Sequence, residues 1–210
     1  MKITVIGAGN MGSAFVKQLT RAGHQVSVTA RDGAKAAKVA ADNTGAKAVA
    51  VAGAAQDADA VVLATAYGDA VAALATVGDL RGKVLIDITN PLTADYMGLT
   101  IGHSTSAAEE IAKAVPGAEV VKAFNTVFAQ VLAEGADFGK GQKVSVFVAA
   151  DSARAKQTAT AIAQGMGFTV DDAGGLKNAR YLEPLAGLNI YLGYGAGLGT
   201  GIAPTWIHKA

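Results

Sequence analysis

The stretch Lys2-Ile3-Thr4-Val5-Ile6-Gly7-Ala8-Gly9-Asn10-Met11-Gly12 decides the fold: a β-branched apolar run breaks into Gly-x-Gly-x-x-Gly and then into a helical pattern. Each glycine answers a separate steric demand. Gly7 permits the tight strand-to-helix turn, Gly9 lets the backbone approach a pyrophosphate, and Gly12 lets the helix pack closely on the sheet. The helix that starts here, read over Met11 to Ala22 with Gly23 as its C-cap, brings unpaired N–H groups and the positive end of its dipole to the anion. Asn10 and Met11 lie inside this cradle, which predicts a dinucleotide site.

The second strand, Gln25 to Ala30, identifies which dinucleotide. An NAD site places an acidic residue at its end to take the ribose hydroxyls. Here Thr29-Ala30-Arg31 stands at that place, with Lys35 one helical turn on and Asp32 between them. A guanidinium and an ammonium facing one small site suit a ribose 2′-phosphate, so NADP is favoured over NAD. In the alternative, Arg31 and Lys35 are solvated surface charges and Asp32 reaches a ribose hydroxyl.

Working outward, strands and helices alternate: helix 33–43, strand 46–52, strand 59–65, helix 68–77, strand 83–87, helix 107–115 behind the capping box Ser106-x-x-Glu109, strand 119–124, strand 143–149, helix 153–166 capped by Asp151-Ser152, and strand 168–170. This predicts an α/β fold of Rossmann type: a doubly wound, mostly parallel sheet with a helical C-terminal appendage. Residues 1–175 are assigned to the NAD(P)-binding domain. Residues 176–210 form a helical and glycine-rich appendage rather than an independent domain. Ligands of such sheets bind beyond the strand carboxyl ends, which adds Thr65, Ala66, Tyr67, Asn90, Pro91, Asn125 and Thr126 to the candidates.

Composition narrows the function class. The 210 residues are 51% hydrophobic and 17% charged, with 18 basic against 17 acidic residues. No basic footprint for nucleic acid or an anionic membrane follows from that balance. The chain has no cysteine and three scattered histidines, His24, His103 and His208, which argues against disulfides, thiolate catalysis and transition-metal sites. The opening strand does not read as a signal peptide, and a cytoplasmic location is expected. Residues 184–207 lack charge over a length that could cross a bilayer, yet five glycines at alternate positions from Gly193 to Gly201 oppose one continuous helix. A buried helix over Tyr181 to Leu192 is expected instead, with the glycine-rich tail folded over the active site or a subunit partner.

The segments Gly7-Ala-Gly-Asn-Met-Gly12, Thr29-Ala-Arg31, Asp87-Ile-Thr-Asn-Pro-Leu92, Lys122-Ala-Phe-Asn-Thr126 and Asp172-Ala-Gly-Gly-Leu-Lys-Asn-Ala-Arg180 resemble, in this order, the NADP oxidoreductases dependent on the deazaflavin coenzyme F-420. Lys122 to Thr126 is also similar to the cytoplasmic reductase domain of the STEAP metalloreductases, which pass hydride from NADPH to a flavin. The resemblance implies 2′-phosphate contacts at Arg31 and Lys35, and a loop beside the ribose and pyrophosphate at Ala64 to Tyr67. It places Asn125, Val127 and Ala129 near the nicotinamide and the acceptor. The family's extra glycine-loop residue is missing here, and Asn125 stands where its members have a histidine, which admits a flavin or another planar acceptor.

The expected activity is hydride transfer between NADP(H) and a flavin-like or F-420-like acceptor, by an enzyme that stacks two rings and needs no catalytic base. A non-enzymatic NADP sensor is one alternative. A second is an imine reductase like pyrroline-5-carboxylate reductase, whose signature Ile6 to Gly12 resembles but whose long all-helical second domain is absent from this strand pattern. The apolar surplus in the tail, together with the family resemblance, predicts a homodimer in which Leu182 to Trp206 helps form the interface or the acceptor pocket.

Overall fold

The computed structural model describes residues 1–207 and 209. His208 lies outside the described residues. Eight strands form one sheet in the order β3-β2-β1-β4-β5-β6-β7-β8: β1 Lys2–Ile6, β2 Gln25–Thr29, β3 Ala46–Ala48, β4 Ala60–Leu63, β5 Val84–Asp87, β6 Glu119–Lys122, β7 Ser145–Ala150 and β8 Thr169–Asp172. The helices are α1 Asn10–Arg21, α2 Gly33–Ala41, α3 Tyr67–Leu74, α4 Ala107–Ala114, α5 Ala129–Glu134, α6 Ala153–Gly165 and α7 Ala179–Ile190, the last continuing as a π-helical turn Tyr191–Gly195. This is the Rossmann-type order that the sequence predicts. The chain runs outward from β1 through β2 to β3 and then crosses back to β4 on the other side of β1, so β1 and β4 flank the switch point.

The central strands β4 and β5 are buried throughout, as a sheet covered on both faces requires. On one face α1, α2, α5 and α6 pack through Phe15, Leu19, Val39, Leu132 and Ile162. On the other, α3 and α4 pack through Leu74, Ala108 and Ile111. The two edge strands are short and charged: β3 carries Lys47, and β8 carries Asp171 and Asp172.

Three differences from the expected elements have physical causes. The third strand keeps only Ala46–Ala48 of the predicted 46–52, because the chain leaves the sheet after the Val49 N–H bonds the Val28 carbonyl and then turns through residues 51–57. Helix α5 was not anticipated; its six residues follow Phe124-Asn125-Thr126 too closely to show a full apolar period. The one antiparallel strand pair is β6 with β7, and β7 starts at the sheet end where β6 stops. The predicted helix over 181–192 begins earlier, at Ala179, and tolerates Pro184 in its second turn. No helix among the described residues is long and apolar enough to cross a membrane.

Candidate functional site

The three glycines of the first loop separate by what surrounds them. Gly7 has φ +116°, and a Cβ there would lie 2.3 Å from the Ala64 carbonyl oxygen. A Cβ on Gly12 would lie 1.9 Å from the Gly7 carbonyl oxygen. Both glycines are fixed by packing against backbone. A Cβ on Gly9 would meet nothing within 4 Å, so Gly9 keeps open the space in front of the loop. Gly9 is also the N-cap of α1 and supplies no side-chain cap, and the N–H groups of Asn10, Met11 and Gly12 have no intrahelical acceptor. Backbone donors, helix dipole and open volume converge here. The arrangement fits a pyrophosphate.

At the end of β2, Thr29 is buried, Ala30 half-buried and Arg31 exposed. The Arg31 guanidinium reaches across the switch point to Asp69 in the first turn of α3, at 3.3 Å. Asp32 accepts from the backbone N–H groups of Ala34 and Lys35. As the N-cap of α2 its carboxylate is engaged in holding that helix, which weakens the alternative of a ribose contact. Lys35 lies on the first turn of α2, at 4.0 Å from Asp32. Arg31 and Lys35 are thus held on adjoining turns, both exposed and both facing only surface carboxylates.

Across the switch point, Ala64, Thr65 and Ala66 lead into α3, and Ala64 packs against the glycine loop. Tyr67 opens α3 half-buried. Burial, and then the carboxylates of Glu110, Glu183 and Asp87, push its phenol above the usual tyrosine range. Those carboxylates introduce a feature that sequence reasoning missed. Lys122, at the end of β6, is fully buried and lies 2.7 Å from Asp87, at the end of β5, and 2.8 Å from Glu183 of α7. It also donates to the Thr89 carbonyl at 2.7 Å. Glu183 accepts from the N–H groups of Ala107 and Ala108 at the N-terminus of α4. One ammonium and two carboxylates are thereby paired with one another away from water, Asp87 Oδ2 through its ion pair with Lys122 alone.

This knot supports the Asn90–Asn125 pair. Asn90 donates to the Asn125 carbonyl at 2.8 Å; the Asn125 amide donates to Asn90 Oδ1 at 3.0 Å and to the Leu182 carbonyl at 2.9 Å. Phe124, immediately before Asn125, has φ +60° and packs edge-on to Phe15 and Phe168. A bulky residue in the left-handed region is strained, and the two aromatic contacts hold it there. Pro91 is buried beside Asn90, and Val127 is buried in the core behind the loop. Ala129, the first residue of α5, is half-buried.

Among the described residues, buried side-chain atoms without a hydrogen-bond partner include Thr29 Oγ1, Thr65 Oγ1, Thr89 Oγ1, Asn125 Oδ1 and Thr126 Oγ1. All five lie at the carboxyl ends of β2, β4, β5 and β6. Polar atoms left unpaired in a folded protein call for an explanation, and these five cluster along the strand ends between Arg31 and Asn125. His24 and His103 lie outside it. No group of three or more potential metal ligands occurs among the described residues.

A glycine-loop helix, a switch point and a polar groove along the strand ends define a dinucleotide-binding Rossmann protein. Comparison with known proteins gives the family. A profile described as NADP oxidoreductase, coenzyme F-420-dependent, matches residues 2–91. The F-420-dependent NADP reductase of Methanothermobacter thermautotrophicus is 33% identical over 209 residues, covering 91% of this chain and 89% of that protein. The chain belongs to the family of F-420-dependent NADP oxidoreductases. The metalloreductase STEAP3 of Rattus norvegicus is 29% identical over 184 residues; the match covers 88% of this chain but only 36% of that protein. A crystal structure from Arthrobacter sp. FB24, provisionally assigned as an F-420-dependent NADP reductase, superposes with a TM-score of 0.85 at 31% identity, covering 95% of this chain and 96% of that one.

Proposed function

We propose that this chain binds NADP(H) and catalyses hydride transfer between NADPH and a planar flavin-like or deazaflavin acceptor. The observation that carries the reading is the glycine loop at the switch point, packed at Gly7 and Gly12 and open at Gly9, with Arg31 and Lys35 a strand away. When bound, NADPH supplies the hydride, and a solvent proton completes reduction of the acceptor. The protein's own groups bind and orient. The N–H groups of α1 hold the pyrophosphate, and Arg31 and Lys35 take the 2′-phosphate, Arg31 exchanging Asp69 for it. Asn90 and Asn125 brace each other at the ring end of the groove, where the free Asn125 Oδ1 accepts from the carboxamide or an acceptor N–H. Tyr67, with its raised pKa, stays protonated at neutral pH as a donor.

NADPH oxidation measured with riboflavin, FMN, coenzyme F-420 and a ferric chelate tests the reading. Turnover on at least one ring acceptor is expected. Tight NADPH binding with no turnover on any of them replaces the enzyme with a nucleotide-sensing protein. Arg31→Ala should weaken NADPH binding about 10- to 100-fold while leaving NADH binding within about threefold, since charge-assisted hydrogen bonds contribute about 1.5–3 kcal/mol; equal losses overturn the NADP assignment.

The same reading includes a homodimer. Tyr181, Leu188 and Tyr191 project from α7 and its π-turn at 75%, 54% and 50% exposure, an apolar stripe that a second copy would cover. A monomer in light scattering at micromolar concentration removes this part alone.

A further inference from the structure

The carboxyl rim of the sheet sets Ile6, Leu63, Asp87 and Lys122 in one row, each the register partner of the next across β1, β4, β5 and β6. Gly7 follows Ile6, so the pyrophosphate of the proposed site belongs at the β1 end of this row. Arg31 follows β2, on the other side of β1, and draws the phosphorylated ribose that way. The nicotinamide half therefore extends over β4 and β5. With strands about 4.8 Å apart, Asp87 stands about 10 Å along the rim from Ile6, toward the ring.

Charge at that end does not balance. Lys122 is one cation against two carboxylates, Asp87 and Glu183, and all three are at most 1% exposed. Every oxygen of the two acids faces a donor. Asp87 Oδ1 accepts from the Thr89 N–H, and Oδ2 pairs with Lys122. Glu183 Oε2 accepts from the Ala107 N–H, and Oε1 from the Ala108 N–H and Lys122. Oxygens that all accept hold no proton, so the knot carries one surplus negative charge. The acids of α4 are balanced, Glu109 by Arg180 and Glu110 by Lys113. The surplus reaches the strand ends: after burial and Glu110, Glu183 and Asp87 help to raise the Tyr67 phenol, with Lys122 opposing them.

Such a charge acts unequally on the two forms of NADP. The oxidised ring is a cation and the reduced ring is neutral, whereas the phosphates and sugars are the same in both. Contacts to the pyrophosphate and the 2′-phosphate cancel in the ratio of the two affinities. A field at the ring does not.

We infer that the surplus charge of Asp87, Lys122 and Glu183 discriminates between the redox states of the cofactor, favouring the cationic ring and biasing bound NADPH toward giving up hydride. The inference rests on the NADP reading of the site. Asp87 and Glu183 are too deeply buried to touch the ring; they set its electrostatic surroundings, and Lys122 limits the surplus to one charge. The hydride carries both electrons to the acceptor, and the positive charge left on the ring is the one that the knot favours.

Calorimetric titration with NADP⁺ and with NADPH, with no acceptor present, tests this. For one charge on the order of 10 Å from the ring at an effective dielectric constant of about 20, Glu183→Gln should lower the ratio Kd(NADPH)/Kd(NADP⁺) about tenfold. That is about 30 mV on the two-electron couple. Asp87→Asn should do the same from the other side of Lys122. In the parent the ratio should hold within about twofold as salt rises from about 0.05 to about 0.5 M, while both affinities fall, because ions screen the exposed Arg31 and Lys35 but not a buried charge. This last measurement needs no variant and carries the test if thermal melts show that neither substitution folds. A ratio that changes steeply with salt overturns the inference. So does a folded variant in which both affinities fall together at constant ratio, the mark of a purely structural knot. If the parent binds neither form, the NADP reading fails and this inference with it. If the parent binds both and the ratio ignores both substitutions, this inference alone fails.

Discussion

At the amino-terminal half of the sheet, the candidate site is built from backbone and exposed charge: three glycines, the N–H groups opening α1, and two cations on adjoining turns. Across the switch point, at the ends of β5 and β6, it is built from buried side chains: Lys122 between Asp87 and Glu183, and the interlocked Asn90 and Asn125. The first half can lose its ligand and keep its shape. The second cannot lose a side chain without leaving a charge or an amide stranded. An anion bound by backbone asks for little sequence beyond glycine spacing, whereas a ring held in a defined plane needs groups that are themselves immobile.

The largest effect expected from breaking this contrast comes at Lys122. Lys122→Ala leaves two carboxylates buried against each other and should cost about 3–5 kcal/mol of stability, read as a fall in denaturation midpoint; a change below about 1 kcal/mol means that water or protonation already relieves the knot. Gly12→Ala comes next. Its Cβ would collide with the Gly7 carbonyl, so loss of about 1–3 kcal/mol and of NADPH binding together is expected. Gly9→Ala sharpens the comparison, because its Cβ meets no protein atom. Stability should hold within about 0.5 kcal/mol while NADPH affinity falls about tenfold or more; parallel calorimetry and thermal melts separate the two. If Gly9→Ala binds NADPH as the parent does, the phosphates lie elsewhere.

The smallest effect is a pH dependence where α7 meets α4. Arg180 hydrogen-bonds Glu109 at 2.7 Å and 2.9 Å and holds its carboxyl below the usual range, with Ser106 assisting. The lowered folded pKa means that this pair stabilises the protein above the unfolded value of about 4.3 and that its contribution fades as the pH falls through the folded value. Removing it with Arg180→Ala should lower stability at neutral pH by about 1 kcal/mol or less and flatten the decline below about pH 4. Acid melts of the two proteins that stay parallel exclude the pair as a contributor.

What could be seen in the sequence follows the same division. The glycine-loop half of the fold was legible because its signals are local: glycines at fixed spacing between a strand and a helix, and a second strand ending in Arg31. The doubly wound, mostly parallel class followed from alternation. The knot was not legible, since Lys122 and Glu183 are distant in the chain and Glu183 sits in a helix whose apolar content suggested only burial. A lysine closing an otherwise apolar strand was the available clue. Helix α5 and the antiparallel β7 were missed because a six-residue helix shows too little periodicity, and a strand's composition does not give its direction. The left-handed Phe124 had no local signal at all; a glycine would have announced that geometry, and tertiary packing on Phe15 and Phe168 imposes it instead.

The two ends of the sheet have a further consequence. β3 offers three residues with a lysine at its centre, and β8 offers four with two aspartates. Short, charged borders resist strand-by-strand docking of one molecule onto the next. Strand-by-strand growth is thus discouraged at both rims, which leaves helical surfaces such as α7 as the exposed apolar ground.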